Sequence, residues 1–316
     1  LIDAGHILGS AMVELFIEEK GITRKLVFSG DIGRPDQLLM KDPSLVSEAD
    51  FLLMESTYGN RNHKGEKESL DELAEAITYS YQNGEKVIIP AFAVERTQEI
   101  LYSLCLLLNS GRLPADMPVY LDSPLAIKAT EIFRRYHAYL DAQTQELIKK
   151  GRDPLRLPNL KMSVSTEDSI RINETREPAI VISGSGMANA GRIRHHLRHN
   201  LWRQGAAIVF VGFQAEGTPG RKIVDGAKKI RIFNDSVAVA ANGGVATACA
   251  GSLPVCPLAV GDNVISTTVT AIDNTTQVYT ITVPRASEAQ LSGLAVAPDG
   301  VDAPIYPTFS AATQTY

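Results

Sequence analysis

Between residues 86 and 212 short apolar runs alternate with helical patterns, and few folds accept that order. KVIIP (86–90), PVYLD (118–122), PAIVIS (178–183) and the stretch at 206–212 read as strands. Segments 94–109, 124–149 and 190–200 between them read as helices, the second started by Asp122-Ser123-Pro124. Strands separated by helices pair in parallel, so an α/β class with a largely parallel middle sheet is expected. Upstream, 12–18 and 24–29 form a hairpin that turns at Lys20-Gly21, and DFLLMES (50–56) reads as a buried strand. Leu70, Leu73, Ala76 and Ile77 give 67–82 a helical period, and IRIF (230–233) is a last strand.

The texture changes after Val239. From Ala240 onward one basic residue, Arg285, faces five acids, a net charge of -4, whereas the preceding residues carry -1. All six histidines lie in the first 200 residues, and no lysine follows Lys229. A small-residue stretch, AANGGVATACAGS, leads into NVISTTVTAIDNTTQVYTITV, which alternates with period two around a turn at Asp273-Asn274. Two sequences of different origin are expected here, joined near Val239–Ala248 by a gene fusion or an assembly artefact. Cys105 reads as a core thiol. Cys249 and Cys256 flank a Pro-containing loop and read equally as an export-dependent disulfide or as linker thiols. No run of 18 apolar residues exists, which argues against a membrane span. The opening at Leu1 reads as mid-domain sequence, so an upstream portion is expected.

Three short motifs carry candidate chemistry. His6 lies in DAGHILGSA, among small residues that let backbone approach a ligand closely. Neutral imidazole is a common zinc ligand, although a lone histidine is more often structural. Asp31, in SGDIGR, follows an apolar strand, where a carboxylate can bridge two metal ions or merely cap a turn. Glu55, in ESTYGN, again ends a strand; it reads as an acid that orients a histidine ligand, or as a cap.

These motifs stand in order with IPAFAVERTQEIL, PVYLDSPLA, ISGSGMANAGRIRHHL and VGFQAEGTPGR, and together they resemble the β-CASP branch of the metallo-β-lactamase superfamily. The resemblance covers residues 1–239. It implies a partial metallo-β-lactamase αββα core over 1–90, an inserted α/β β-CASP cap over 91–212 and a return to the core over 213–239. A linker (240–262) and an all-β, sandwich-like segment (263–316) would follow. The family implies two zinc ions and hydrolysis of single-stranded RNA in the cytoplasm, and its members often form homodimers. By motif, His6 and Asp31 would be metal ligands, and Asp31 and Glu55 the catalytic acids; His63 follows ESTYG with its role open.

The departures matter as much. The HxHxDH signature that supplies most zinc ligands is absent, and no histidine follows His199. A histidine and an aspartate alone bind zinc weakly, so the chain by itself is expected to lack nuclease activity. Ser183, Gly184, Ser185 and Gly186 form a strand-to-helix loop whose amides could cradle a phosphate, and Thr218, Gly220 and Arg221 form a second such loop. Each reads equally as a tight turn. Arg192, Arg194, His195, His196, Arg198, His199 and Arg203 make a basic cluster that could track RNA, more commonly a solvated helix face. No aromatic stacking platform is interleaved with it, and Trp202 reads as packing. The tail resembles the cadherin-like repeats of bacterial surface proteins, which places it outside the cell, in conflict with RNA processing. Two alternatives to a nuclease therefore stay open: a non-catalytic RNA-binding protein, and an adhesion-type surface module.

Overall fold

The computed structural model describes residues 1–59 and 65–240, and beyond them the backbone of five strands at 247–248, 261–270, 276–287, 290–291 and 295–298. His63, Cys249, Cys256 and the turn at Asp273-Asn274 lie outside the described residues. The chain divides into two units, Leu1–Ser252 and Leu253–Tyr316.

The larger unit opens with β1 (Ile2–Asp3), β2 (Ala11–Glu19), β3 (Ile22–Phe28) and β4 (Phe51–Leu53). They form one sheet in that order, antiparallel except for the parallel pair β3–β4. The predicted hairpin is present, with Glu19 opposite Ile22 and Lys20 at a positive φ of 53° in the turn. The predicted burial of 50–56 is not. Phe51, Leu52, Leu53 and Met54 are 51–60% exposed, because β4 is an edge strand and residues pointing to both of its sides lack cover.

A second sheet follows, interleaved with helices. In chain order come α1 (Glu66–Gln82), β5 (Val87–Pro90), α2 (Arg96–Asn109), β6 (Val119–Leu121), α3 (Pro124–Arg135), α4 (Ala142–Lys149), β7 (Leu160–Met162), α5 (Thr166–Glu174), β8 (Ile180–Ser183), α6 (Ile193–Asn200) and β9 (Ala207–Phe210). Then come α7 (Pro219–Val224), the hairpin of β10 (Lys229–Ile232) and β11 (Asp235–Ala238), and β12 (Thr247–Ala248). Six strands pair in the order β12-β9-β5-β8-β6-β7, every pair parallel.

Both faces of this sheet are covered, and the alternation of side chains divides the core in two. Val87, Ile89, Ile180 and Ile182 face α1 and α2 with Ile77, Leu101 and Leu104. Ile88, Val181, Ile208 and Phe210 face α6 and the β10–β11 hairpin with Ile193, Leu197, Ile230 and Ile232. Burial on both faces is why these strands are continuous apolar runs. Cys105 on α2 packs against the first cluster, and burial pushes its thiol up.

The single helix predicted over 124–149 is broken. Ser123 caps α3, accepting from Ala126 N at 3.3 Å ahead of Pro124. The chain then passes a 3-10 turn at His137–Tyr139 and extends at Leu140. Asp141 starts α4 afresh by accepting from Thr144 N at 2.9 Å. A second cap explains α5, which the apolar period does not announce: Ser165 and Asp168 form a reciprocal capping box.

In the smaller unit β13 (Gly261–Thr270) and β14 (Thr276–Ser287) pair antiparallel, as the alternating pattern predicts. β15 (Gln290–Leu291) and β16 (Ala295–Pro298) also pair with β14.

Candidate functional site

The first two motif loops are bound to each other. Gly33 N donates to Ala4 O at 2.8 Å, and a Cβ on Gly33 would come within 1.9 Å of Gly5 O, so only glycine allows the approach. Ser10 Oγ accepts from His6 N and Ile7 N at 3.0 and 3.2 Å, which fixes the loop carrying His6. The result places His6 Nε2 4.0 Å from Asp31 Oδ2, with the Asp31 side chain 79% exposed. Glu55 supports the same corner. Its Oε1 accepts from Ile32 N at 2.7 Å and its Oε2 from Thr57 Oγ1 at 2.8 Å, while its own amide donates to Ser29 Oγ at 3.1 Å. One carboxylate oxygen thus holds the turn beside Asp31, and the other bonds within Glu55's own loop.

A fourth group completes the corner. Glu95, the N-cap of α2, is buried at a positive φ of 66° and sets Oε2 4.0 Å from His6 Nδ1. Burial first, then the charge of Glu99, pushes its carboxyl up to about 8, against the pull of Arg96 and Arg34. His6 therefore lies between two acidic side chains, each with an oxygen 4.0 Å from one ring nitrogen. Sequence reasoning passed over Glu95, because it stands five residues past β5 as the N-cap of α2 and only the fold brings it to His6. Among the described residues no three His, Cys, Asp or Glu side chains are grouped so as to hold a metal ion. Two zinc ions do not fit this donor set.

The two small-residue loops also meet, and most of their polar groups are already engaged. Gly220 N donates to Met187 O at 3.1 Å. Ser183 is buried and its hydroxyl donates to Asp122 O at 2.9 Å, so its side chain is an internal anchor and not a phosphate contact. Ser185 donates Oγ to Asn189 Oδ1 and N to Ala190 O, while Gly184 O accepts from Ile193 N. Gly186 is buried and its carbonyl accepts from Gln214 Nε2 at 2.9 Å. Thr218 Oγ1 accepts from Arg221 N and donates to Ala215 O, capping α7, and Arg221 Nε holds both oxygens of Asp225 at 2.8 and 2.9 Å. Both loops are built as packed turns.

The basic cluster on α6 is corrected more sharply. His196 is fully buried, with Nε2 2.7 Å from Asp122 Oδ2 and Nδ1 3.0 Å from Asn173 Oδ1. Arg192 donates to Asp122 Oδ1 at 2.8 Å and to Ser163 O and Val164 O. Ser169 Oγ donates to Asp122 Oδ2 at 2.6 Å. Burial pushes the Asp122 carboxyl up, but the bonds from His196, Ser169 and Arg192 outweigh it and hold it below the usual range. Arg194 stacks 4.1 Å from the Phe233 ring centre, His195 tilts against the same ring, Arg198 pairs with Asp235 and Arg203 with Glu85. Burial and Arg198 push the His199 imidazole down. Trp202, expected to pack, is 55% exposed. The cluster is an internal and surface pairing network, not a free cationic stripe.

Comparison with known proteins agrees with this architecture. Residues 97–223 match the Beta-Casp domain. A ribonuclease of Thermus thermophilus is 40% identical over 239 residues, 76% of this chain and 54% of the relative. An RNase J-like protein of Methanocaldococcus jannaschii is 34% identical over 75% of this chain and 54% of its own length. Transcription termination factor FttA of the same organism is 35% identical over 74% of this chain and 37% of its own. The chain thus spans about half the length of the first two relatives or less of the third. Through its larger unit, the chain carries a Beta-Casp domain and resembles the RNA-processing proteins of the β-CASP metallo-β-lactamase family.

Proposed function

We propose that this chain acts on single-stranded RNA as part of a zinc-dependent ribonuclease, and that alone it does not cleave. The convergence of His6, Asp31 and the Glu55-held turn carries the reading, because it assembles one imidazole and one open carboxylate where a hydrolytic centre would begin. The names of the relatives, two ribonucleases and a termination factor, point to RNA as substrate. Catalytic zinc commonly takes three protein ligands and an open position. His6 and Asp31 fall short of that, so further ligands would have to come from polypeptide other than the described residues. Glu95 and Glu55 would then position His6 and Asp31.

A cytoplasmic site of action and pairing into a homodimer belong to the same reading. Among the described residues no helix is long and apolar enough to cross a membrane. The cadherin-like resemblance of the tail remains a separate proposal, a surface module tested by export of the chain.

The deciding experiment is cleavage of labelled single-stranded RNA by the purified chain with added zinc or manganese, beside Asp31→Ala. No cleavage with either metal is expected. Metal-dependent cleavage that disappears in Asp31→Ala would overturn the inactivity and show a complete ligand set.

A further inference from the structure

Phe92 follows β5, the strand paired between β9 and β8, and is 43% exposed. A Cβ on Gly186 would come within 2.8 Å of two Phe92 ring carbons, so the ring lies directly on glycine backbone. Gly212, just past β9, borders the same ring, with a Cβ position 3.9 Å from it. The next residue, Phe213, meets Tyr58 edge to face, ring centres 5.9 Å apart at 89°. Three rings from separate segments thus gather near the carboxyl ends of β5, β8 and β9, the end of an open parallel sheet where ligands bind.

One buried side chain fixes their footing. Gln214 Nε2 donates to Gly186 O, Gly212 O and Phe213 O at 2.9, 3.1 and 3.1 Å, tying the backbone under Phe92 to the backbone of Phe213. The loop that holds Phe92 also holds Glu95, whose Oε2 is 4.0 Å from His6 Nδ1. The rings therefore stand one short loop from the His6–Asp31 corner.

A phenylalanine left nearly half in water forgoes much of its burial energy. Here glycine backbone supports the ring and no side chain from Gly186 or Gly212 shields it. We propose that Phe92, with Phe213 and Tyr58 beside it, is a stacking platform for unpaired bases of single-stranded RNA. The proposal rests on the RNA reading above. Stacking on aromatic faces tolerates any base, because every base presents a π-face.

The test is fluorescence anisotropy of the full chain with a short labelled oligoadenylate and with an abasic ribose-phosphate oligomer of equal length. Oligoadenylate should bind more tightly. Phe92→Leu should weaken it roughly tenfold and leave the abasic oligomer unchanged, and Phe92→Trp should restore binding. Phe213→Leu, checked for folding by circular dichroism, gives an independent variant with the same expected direction. RNA binding in which Phe92→Leu and Phe213→Leu keep the full preference for bases overturns the platform alone. Failure of the wild-type chain to bind either oligomer overturns the platform and the RNA reading together.

Discussion

The four-stranded and six-stranded sheets of the larger unit both contain apolar strands, such as β4 and β8, and treat them in opposite ways. In the six-stranded parallel sheet Ile180, Val181 and Ile182 are all fully buried, alternate residues entering different cores. In the four-stranded sheet Phe51, Leu52 and Leu53 are all more than half exposed, and so are Phe16 and Ile22. Full burial of such a side chain contributes roughly 1.5–3 kcal/mol, so the first sheet draws on a term that the second largely forgoes. Exposed apolar surface on this scale usually marks a face that meets another surface. The comparison teaches that an apolar run reports a demand for cover, not the cover itself.

The largest effect that would sharpen the contrast lies under the parallel sheet, at Asp122. Asp122→Ala leaves Arg192 and buried His196 without their carboxylate and should cost about 3–5 kcal/mol in urea unfolding. The sign with pH follows from the depressed folded value. The carboxylate's contribution is fully present above the unfolded aspartate range and is lost as pH falls through the lower folded value. Asp122→Asn should therefore flatten the acid limb of a stability profile; an unchanged limb would show that the network is not charged as drawn.

Next in size, Ile182→Ala should cost about 2–5 kcal/mol by emptying a fully buried site. Leu52→Ala in β4 should stay within about 0.5 kcal/mol, as at other exposed positions. Equal losses at both sites would break the comparison and show that β4 is covered in solution. The smallest effect is on surface behaviour. Phe16→Lys together with Phe51→Lys should reduce binding of a hydrophobic dye without moving the unfolding midpoint by more than a degree or so of the usual small surface effect. Unchanged dye binding would place the accessible apolar surface elsewhere.

Much of the fold was legible before any coordinates. The alternation of short apolar runs and helical periods anticipates the parallel sheet, and Lys20-Gly21 anticipates the β2–β3 turn, because both signals are local. The breaks were less visible. α3 and α4 share one helical pattern, and the restart at Asp141 depends on a single side-chain cap. In the candidate site, the motifs pointed to His6, Asp31 and Glu55, which the fold does bring into one corner. Glu95, Gln214 and Phe92 escaped notice because their meaning comes from what lies across from them. The α6 cluster, read as an RNA track or more commonly a solvated helix face, could not be resolved for the same reason: a row of basic letters does not show that Asp122, Asp235 and Glu85 stand opposite.

Sequence by itself determined the local menu: the main apolar strands, the strongest helical periods and where the composition changes near residue 239. Those features follow from backbone sterics and side-chain period, which act over a few residues. Tertiary structure alone decided which apolar strands are covered, which charges are neutralised and which rings share one surface. Burial and pairing depend on groups far apart in the chain, such as Asp122 and His196, and their distance is set only when the sheet closes around them.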